Sequence, residues 1–276
     1  MRTWVGLGLL LPAWIAACTG WAAAPAASST QETVQEAVAP ATAVSPEVRQ
    51  WLERIEQRAR EVRDLQARVR YESVDELLGS RQIRAGVLVY DAGPPARFAA
   101  RFDRAVIDEQ LRMQSRSYIF DGRWLAERHD DEKLFWRREL VPAGQEGRDL
   151  LRLGEGPFAV PLGLEADAVL ERFEVELIEP ADDDPARSVH LRLTPREHVR
   201  IDQEQIDLWY DRGTLLPIRA VTREQDTQSI LTLSDVRINA GLEGQPFDTA
   251  PPAGSDWQVQ IVPLEASTMP ASPGQR

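Results

Sequence analysis

From Val48 onward, apolar side chains recur at three- and four-residue steps: Val48, Trp51, Leu52, Ile55, Ala59 and Val62, with Arg and Glu on the other positions. That spacing lays one apolar stripe along a helix. Ser45-Pro46 opens it, Ser as cap and Pro at the first helical position, where a missing N–H costs nothing. After Val62 the period falls to two. Leu65, Ala67, Val69 and Tyr71 alternate with polar neighbours, as do Ile83, Ala85, Val87 and Val89, and Phe98, Ala100 and Phe102. Tyr118 to Phe120, then Asp121-Gly122, then Arg123 to Ala126 predicts a tight hairpin. A strand follows at Lys133 to Leu140. The pattern breaks from Pro142 to Phe173, where Leu164 to Phe173 has helical spacing. Strands are then predicted at Glu174 to Ile178, Val189 to Leu193, Gln205 to Tyr210, Leu215 to Thr222 and Ser229 to Asn239.

Short antiparallel connections dominate and no strand–helix–strand alternation occurs. The fold class is therefore α+β, a large antiparallel sheet with a few helices. A sheet of ten or eleven strands must curl or close. Several strands carry apolar groups on both faces, for example Trp124 beside Leu125 and Phe135 beside Trp136. The expectation is an incomplete barrel whose concave face is closed by a helical lid.

Neither end of the chain keeps these periods. Arg2 precedes an apolar run from Trp4 to Ala17, too short and too Pro-interrupted to span a bilayer, which reads as a secretory leader. Ile15-Ala16-Ala17-Cys18 resembles a lipobox, in which the cysteine becomes acylated; cleavage somewhat later, near Ala24-Pro25-Ala26, is the competing reading. The expected organisation is a leader over 1–18, a disordered Ala/Pro/Ser/Thr tether over 19–44, one domain over 45–262 and a tail over 263–276. The protein is thus expected to be exported to the periplasm, anchored through Cys18 or else soluble.

Composition narrows the function. The 276 residues carry 32 basic and 44 acidic side chains, a net charge of −12, which argues against a nucleic-acid partner. Loss of Arg2 with the leader leaves the exported chain more acidic still, so charge will not hold it on an anionic membrane. One cysteine excludes an intrachain disulfide and a cysteine-based metal site. No G-x-S-x-G, phosphate-cradling Gly loop or H-E-x-x-H occurs, and nothing calls for a cofactor. His129-Asp130-Asp131-Glu132 and Asp182-Asp183-Asp184 read as solvated acidic turns. His190 and Glu197-His198 have no matched nucleophile, so no enzymatic activity is expected. The remaining signal is aromatic: an amphipathic helix over a curved sheet can enclose a dry pocket for an acyl chain.

Several segments, in order, resemble the LolA/LolB superfamily of lipoprotein carriers. They are Leu208-Trp209-Tyr210-Asp211 leading to Leu215-Leu216-Pro217, Val236 to Asn239, and Phe247-Asp248-Thr249-Ala250-Pro251-Pro252-Ala253-Gly254. The Phe120-Asp121-Gly122 hairpin and Gly156-Pro157-Phe158 match as well. The resemblance runs from Ser45 to the last strand. It implies an incomplete barrel with a helical lid that shelters acyl chains of lipoproteins or other lipids, and a transport partner in the inner or outer membrane. Phe98 and Phe158 match cavity aromatics of the family. The family's release-linked Arg, expected just before the Pro ahead of the third strand, falls on Gly93 or Pro94 here.

The candidate lipid-contacting residues are Trp51 and Ile55 on the lid helix and Phe98, Phe102, Trp124, Trp136, Phe158 and Val160 beyond it. An acyl chain of some fifteen methylenes forfeits about 12 kcal/mol on leaving a bilayer, so only an extended apolar site can offset the loss. Two other readings compete: an anchored sensory or scaffold module that binds a partner protein on the same fold, and an envelope hydrolase.

Overall fold

The stripe from Val48 to Val62 forms α1 (Pro46–Glu61) in the computed structural model, which describes residues 44–107, 109–144, 164–244 and 246–264. Pro46 takes the first turn. Ser45 stands at the cap position, but its hydroxyl makes no capping bond; its carbonyl accepts from the Arg49 N–H at 3.1 Å.

Strands follow in the order β1 (Asp64–Asp75), β2 (Ser80–Asp91), β3 (Arg97–Ile107), β4 (Gln110–Phe120), β5 (Trp124–His129) and β6 (Leu134–Glu139). A short helix, α2 (Ala166–Arg172), leads into β7 (Phe173–Ile178), β8 (Ser188–Pro195), β9 (Gln205–Asp211), β10 (Pro217–Glu224) and β11 (Thr227–Ile238), and β12 (Gln258–Val262) ends the series. All join one open sheet ordered β12-β6-β5-β4-β3-β2-β1-β11-β10-β9-β8-β7. Two antiparallel meanders are thus zipped together by the β1–β11 pair, with edges at β12 and β7.

The sheet has twelve strands rather than ten or eleven, and one pairing is parallel: β12 lies beside β6. β12 has little burial to announce it, since every one of its residues is exposed. It is reached by the segment that follows β11, which passes the start of β1 at Asp64. Ala240 and Gly241 donate to the Asp64 carboxylate at 3.0 and 3.1 Å, Arg101 donates to the Pro246 carbonyl at 2.9 Å, and Arg97 lies over the Phe247 ring at 4.7 Å.

The predicted hairpin at Asp121-Gly122 is present. Asp121 Oδ1 accepts from the N–H groups of Arg123 and Trp124 at 2.9 and 2.7 Å, and Gly122 has φ +99°, where a Cβ would lie 2.3 Å from Pro95. Both helices pack on one face of the sheet, and the buried core lies between them. Among the described residues no helix is long and apolar enough to cross a membrane.

Candidate functional site

Residues directly opposite in an antiparallel pair share a face, so the register traces what lies beneath α1. One row runs Leu65–Tyr90–Phe98–Phe120–Leu125 across β1 to β5. The next runs Ala67–Leu88–Ala100–Tyr118–Glu127–Trp136, and a third runs Val69–Gly86–Phe102–Arg116–His129–Leu134. The first row is apolar throughout. The second and third turn polar at β4 and β5. The helix-covered face is therefore apolar under α1 and charged toward the β5–β6 side.

Val48, Leu52 and Ile55 of α1 close over the apolar part, with Leu52 at 0% exposure and Ile55 at 2%. Trp51 packs at the margin of the same core, between the guanidinium groups of Arg54 at 4.3 Å and Arg212 at 5.6 Å. Phe98 contacts Phe120 with ring centroids 5.9 Å apart. Phe102 sits between Tyr71 at 6.4 Å and Tyr118 at 6.3 Å. Trp136 belongs to this face as well, edge-on to His129 at 5.1 Å.

Trp124 does not. Its neighbour Leu125 pairs with Phe120 on the covered face, so Trp124 points to the opposite one, where Arg137 lies 4.3 Å from its ring. It cannot line a site under α1. Phe158, Val160 and Cys18 fall outside the described residues. Ile83, Ala85, Val87 and Val89 also lie on the opposite face, and Val87 is 50% exposed. The β2 residues under the helix side are Arg84, Leu88 and Tyr90, which an apolar alternation could not single out.

In the acidic turns Asp131, Glu132, Asp182 and Asp183 are exposed as expected, but His129 and Asp184 are drawn in against the sheet. His129 is 6% exposed; its ring nitrogens lie 2.9 Å from Glu132 and 2.7 Å from Glu127. With both nitrogens engaged on opposite sides, these side chains do not converge on one point, and among the described residues no cluster is arranged to hold a metal ion. Asp184 accepts the Trp209 indole N–H at 2.6 Å. His190 stacks on Trp209 at 4.0 Å and reaches Asp207 at 2.8 Å. Burial pushes the Asp207 carboxyl up, but hydrogen bonds from His190, Gln205 and Arg192 outweigh it and hold the group below the usual carboxylate range.

In the Gly93-Pro94 region Arg97 is tied to the turn through Asp91. It is paired with Asp91, which also accepts from the Gly93 N–H at 2.9 Å, and it covers Phe247. A cleft of about 990 Å³ lies on the opposite face, between β2–β6 and segment 240–250. Val87, Val89, Ile119 and Phe135 give it an apolar floor, and Arg101 and Arg128 give it charge.

No protein-family profile and no curated protein matches the chain. Solved structures do. LprF from Mycobacterium bovis is 12% identical over 74% of this chain and 99% of its own, with a TM-score of 0.40. A putative outer membrane lipoprotein-sorting protein domain from Vibrio parahaemolyticus is 13% identical over 73% and 95%, with a TM-score of 0.33. The MucA/MucB complex of Pseudomonas aeruginosa also matches, at 17% identity over 78% of this chain and 64% of that one, with a TM-score of 0.37. At these identities and scores, function has to be argued from the residues themselves.

Proposed function

We propose that the protein is an exported, non-enzymatic carrier that shelters acyl chains of lipoproteins or other lipids on the helix-covered face. The observation that carries this reading is the unbroken apolar row Leu65–Tyr90–Phe98–Phe120–Leu125 beneath an amphipathic helix that buries Val48, Leu52 and Ile55 against it. Burying Val48, Leu52 and Ile55 is worth roughly 6 kcal/mol in all. A fifteen-methylene chain brings about 12 kcal/mol into an apolar site. Measured from water, a single acyl chain can therefore displace α1 from the sheet; measured from a bilayer its gain only offsets what it forfeits there, so the roughly 6 kcal/mol recovered when the helix returns favours release. Arg97 is committed to Asp91 and Phe247, so release by this protein works through α1 rather than through a free Arg ahead of β3. Lipoprotein localisation to the outer membrane, with Cys18 as anchor, is the cellular role proposed for it; intact mass spectrometry of the membrane fraction tests the anchor.

The functional test is displacement of a neutral pyrene-labelled lipid from the purified mature chain. Saturable uptake, abolished when α1 is disulfide-locked to β1, supports the reading. Failure to take up the probe in the unlocked protein sinks it. The cleft under segment 240–250 favours a second reading, an anchored module that docks a partner protein on the opposite face. A partner recovered without lipid dependence, and lost on Arg101→Glu, supports that alternative.

A further inference from the structure

The covered face does not end as it begins. Arg84 of β2 pairs in register with Tyr71 and stands on the same face as Leu88 and Tyr90; Arg116 of β4 pairs with Phe102 and His129 on that face. Arg84 is only 8% exposed, and its hydrogen bonds go to neutral amides, Gln114 at 2.8 Å and Gln82 at 3.4 Å. Among the described residues no carboxylate lies within ion-pair distance of it. Arg116 has one carboxylate partner, Glu132 at 3.2 Å, which is already shared with His129, and its buried Nε has no acceptor. A guanidinium cannot discharge itself by losing a proton. Holding Arg84 in a poorly hydrated place with no carboxylate in ion-pair distance is unfavourable, and Arg116 beside it, with its side chain 20% exposed, is offset by Glu132 alone. Burial first, and then the neighbouring Arg116, pull the Arg84 pKa below its usual value, against the opposing pull of Tyr118, Glu132 and Tyr71.

Strand spacing puts Arg84 about 13 Å along β2 from Leu88, in line with the apolar rows. A molecule lying along this face meets hydrocarbon first and guanidinium last. We propose that Arg84 and Arg116 bind the oxyanion headgroup, phosphate or carboxylate, of an amphiphile whose chains lie under α1. The inference rests on the carrier reading but selects among cargoes: it favours anionic amphiphiles over neutral ones. Arg–oxyanion contacts are charge-assisted and bidentate, and each is strong enough to change affinity about tenfold or more.

The test uses the mature chain and three ligands: monooleoylglycerol, oleoyl lysophosphatidic acid and inorganic phosphate. The anionic lipid is expected to displace a neutral pyrene lipid at concentrations at least about tenfold lower than the neutral one. Arg84→Gln and Arg116→Gln should each remove that preference while leaving monooleoylglycerol binding within about twofold, and Arg84→Gln should melt no lower than the parent, because a buried cation is gone. Equal binding of the two lipids by the parent, or a preference that survives both substitutions, overturns the headgroup site and leaves the carrier reading standing. If neither lipid binds, the carrier reading falls. Inorganic phosphate then decides the site: stabilisation of the parent but not of Arg84→Gln upholds an oxyanion site for a free anion, and no stabilisation rejects it.

Discussion

Gly86→Ala isolates a close approach of two backbones on which the covered face depends. Gly86 lies where the β2–β3 register shifts, and an added Cβ would sit 1.8 Å from the Arg101 carbonyl oxygen and 2.7 Å from the Phe102 Cα. An ordinary contact needs more than 3 Å, and both obstructing groups are backbone, so no side-chain rotation relieves the overlap. Relief requires β3 to back away, which breaks ladder hydrogen bonds and moves Phe102, the ring between Tyr71 and Tyr118. Overpacking costs about 1–3 kcal/mol, and each lost hydrogen bond adds about 1 kcal/mol. Against this, Ala restricts the unfolded chain and returns about 0.5–1 kcal/mol. The net loss is on the order of 3 kcal/mol, a fall in Tm of roughly 6–12 °C for a domain of this size. Gly79→Ala is the matched control: nothing lies within 4 Å of its Cβ, and only its φ of +61° is unfavourable. That change should cost about 1 kcal/mol. Differential scanning calorimetry measures both. A Gly86→Ala protein that melts within about 2 °C of the parent, or no lower than Gly79→Ala, would refute the close-approach reasoning.

Leu52→Ala removes a fully buried side chain from α1 and should cost about 2–5 kcal/mol in urea unfolding, whereas Glu53→Ala on the exposed side should stay within about 0.5 kcal/mol. Asp207→Ala leaves His190 and Arg192 without their shared acceptor and should lower stability by about 3 kcal/mol or more at neutral pH. The Asp207 carboxyl titrates below its ordinary 3.8 when folded, so the unfolded chain takes up protons first as the pH falls; its stabilisation is complete well above pH 3.8 and is lost as pH drops through the lower folded value. Acid titration followed by circular dichroism should therefore show a shallower loss below about pH 4 in Asp207→Asn than in the parent. In single-tryptophan proteins, a brominated acyl chain should quench Trp136 and leave Trp124 unquenched, because adjacent strands place the two rings on opposite faces.

Local chemistry was legible wherever it acts within a few residues. The helical stripe predicted α1 with its buried Val48, Leu52 and Ile55, and Asp121-Gly122 predicted a turn whose carboxylate and positive φ are both present. Alternation located the strands β1 and β7 to β11 within a few residues, because period two is a property of one chain segment. What alternation cannot give is which of its two faces is covered. In β2 the more apolar set, Ile83 to Val89, faces away from the helices, while Arg84, Leu88 and Tyr90 face them, since pairing with Tyr71, Ala67 and Leu65 decides the matter. Trp124 and Trp136 look alike in sequence and differ only in the parity set by their partners. β12 depends on a parallel partner more than a hundred residues away in the chain, and the burial of His129 depends on strands brought beside it. The pattern along the chain determined a helix, a run of strands and their turns. The tertiary register decided which side chains share a face, and with it the apolar rows and the arginine pair at their end.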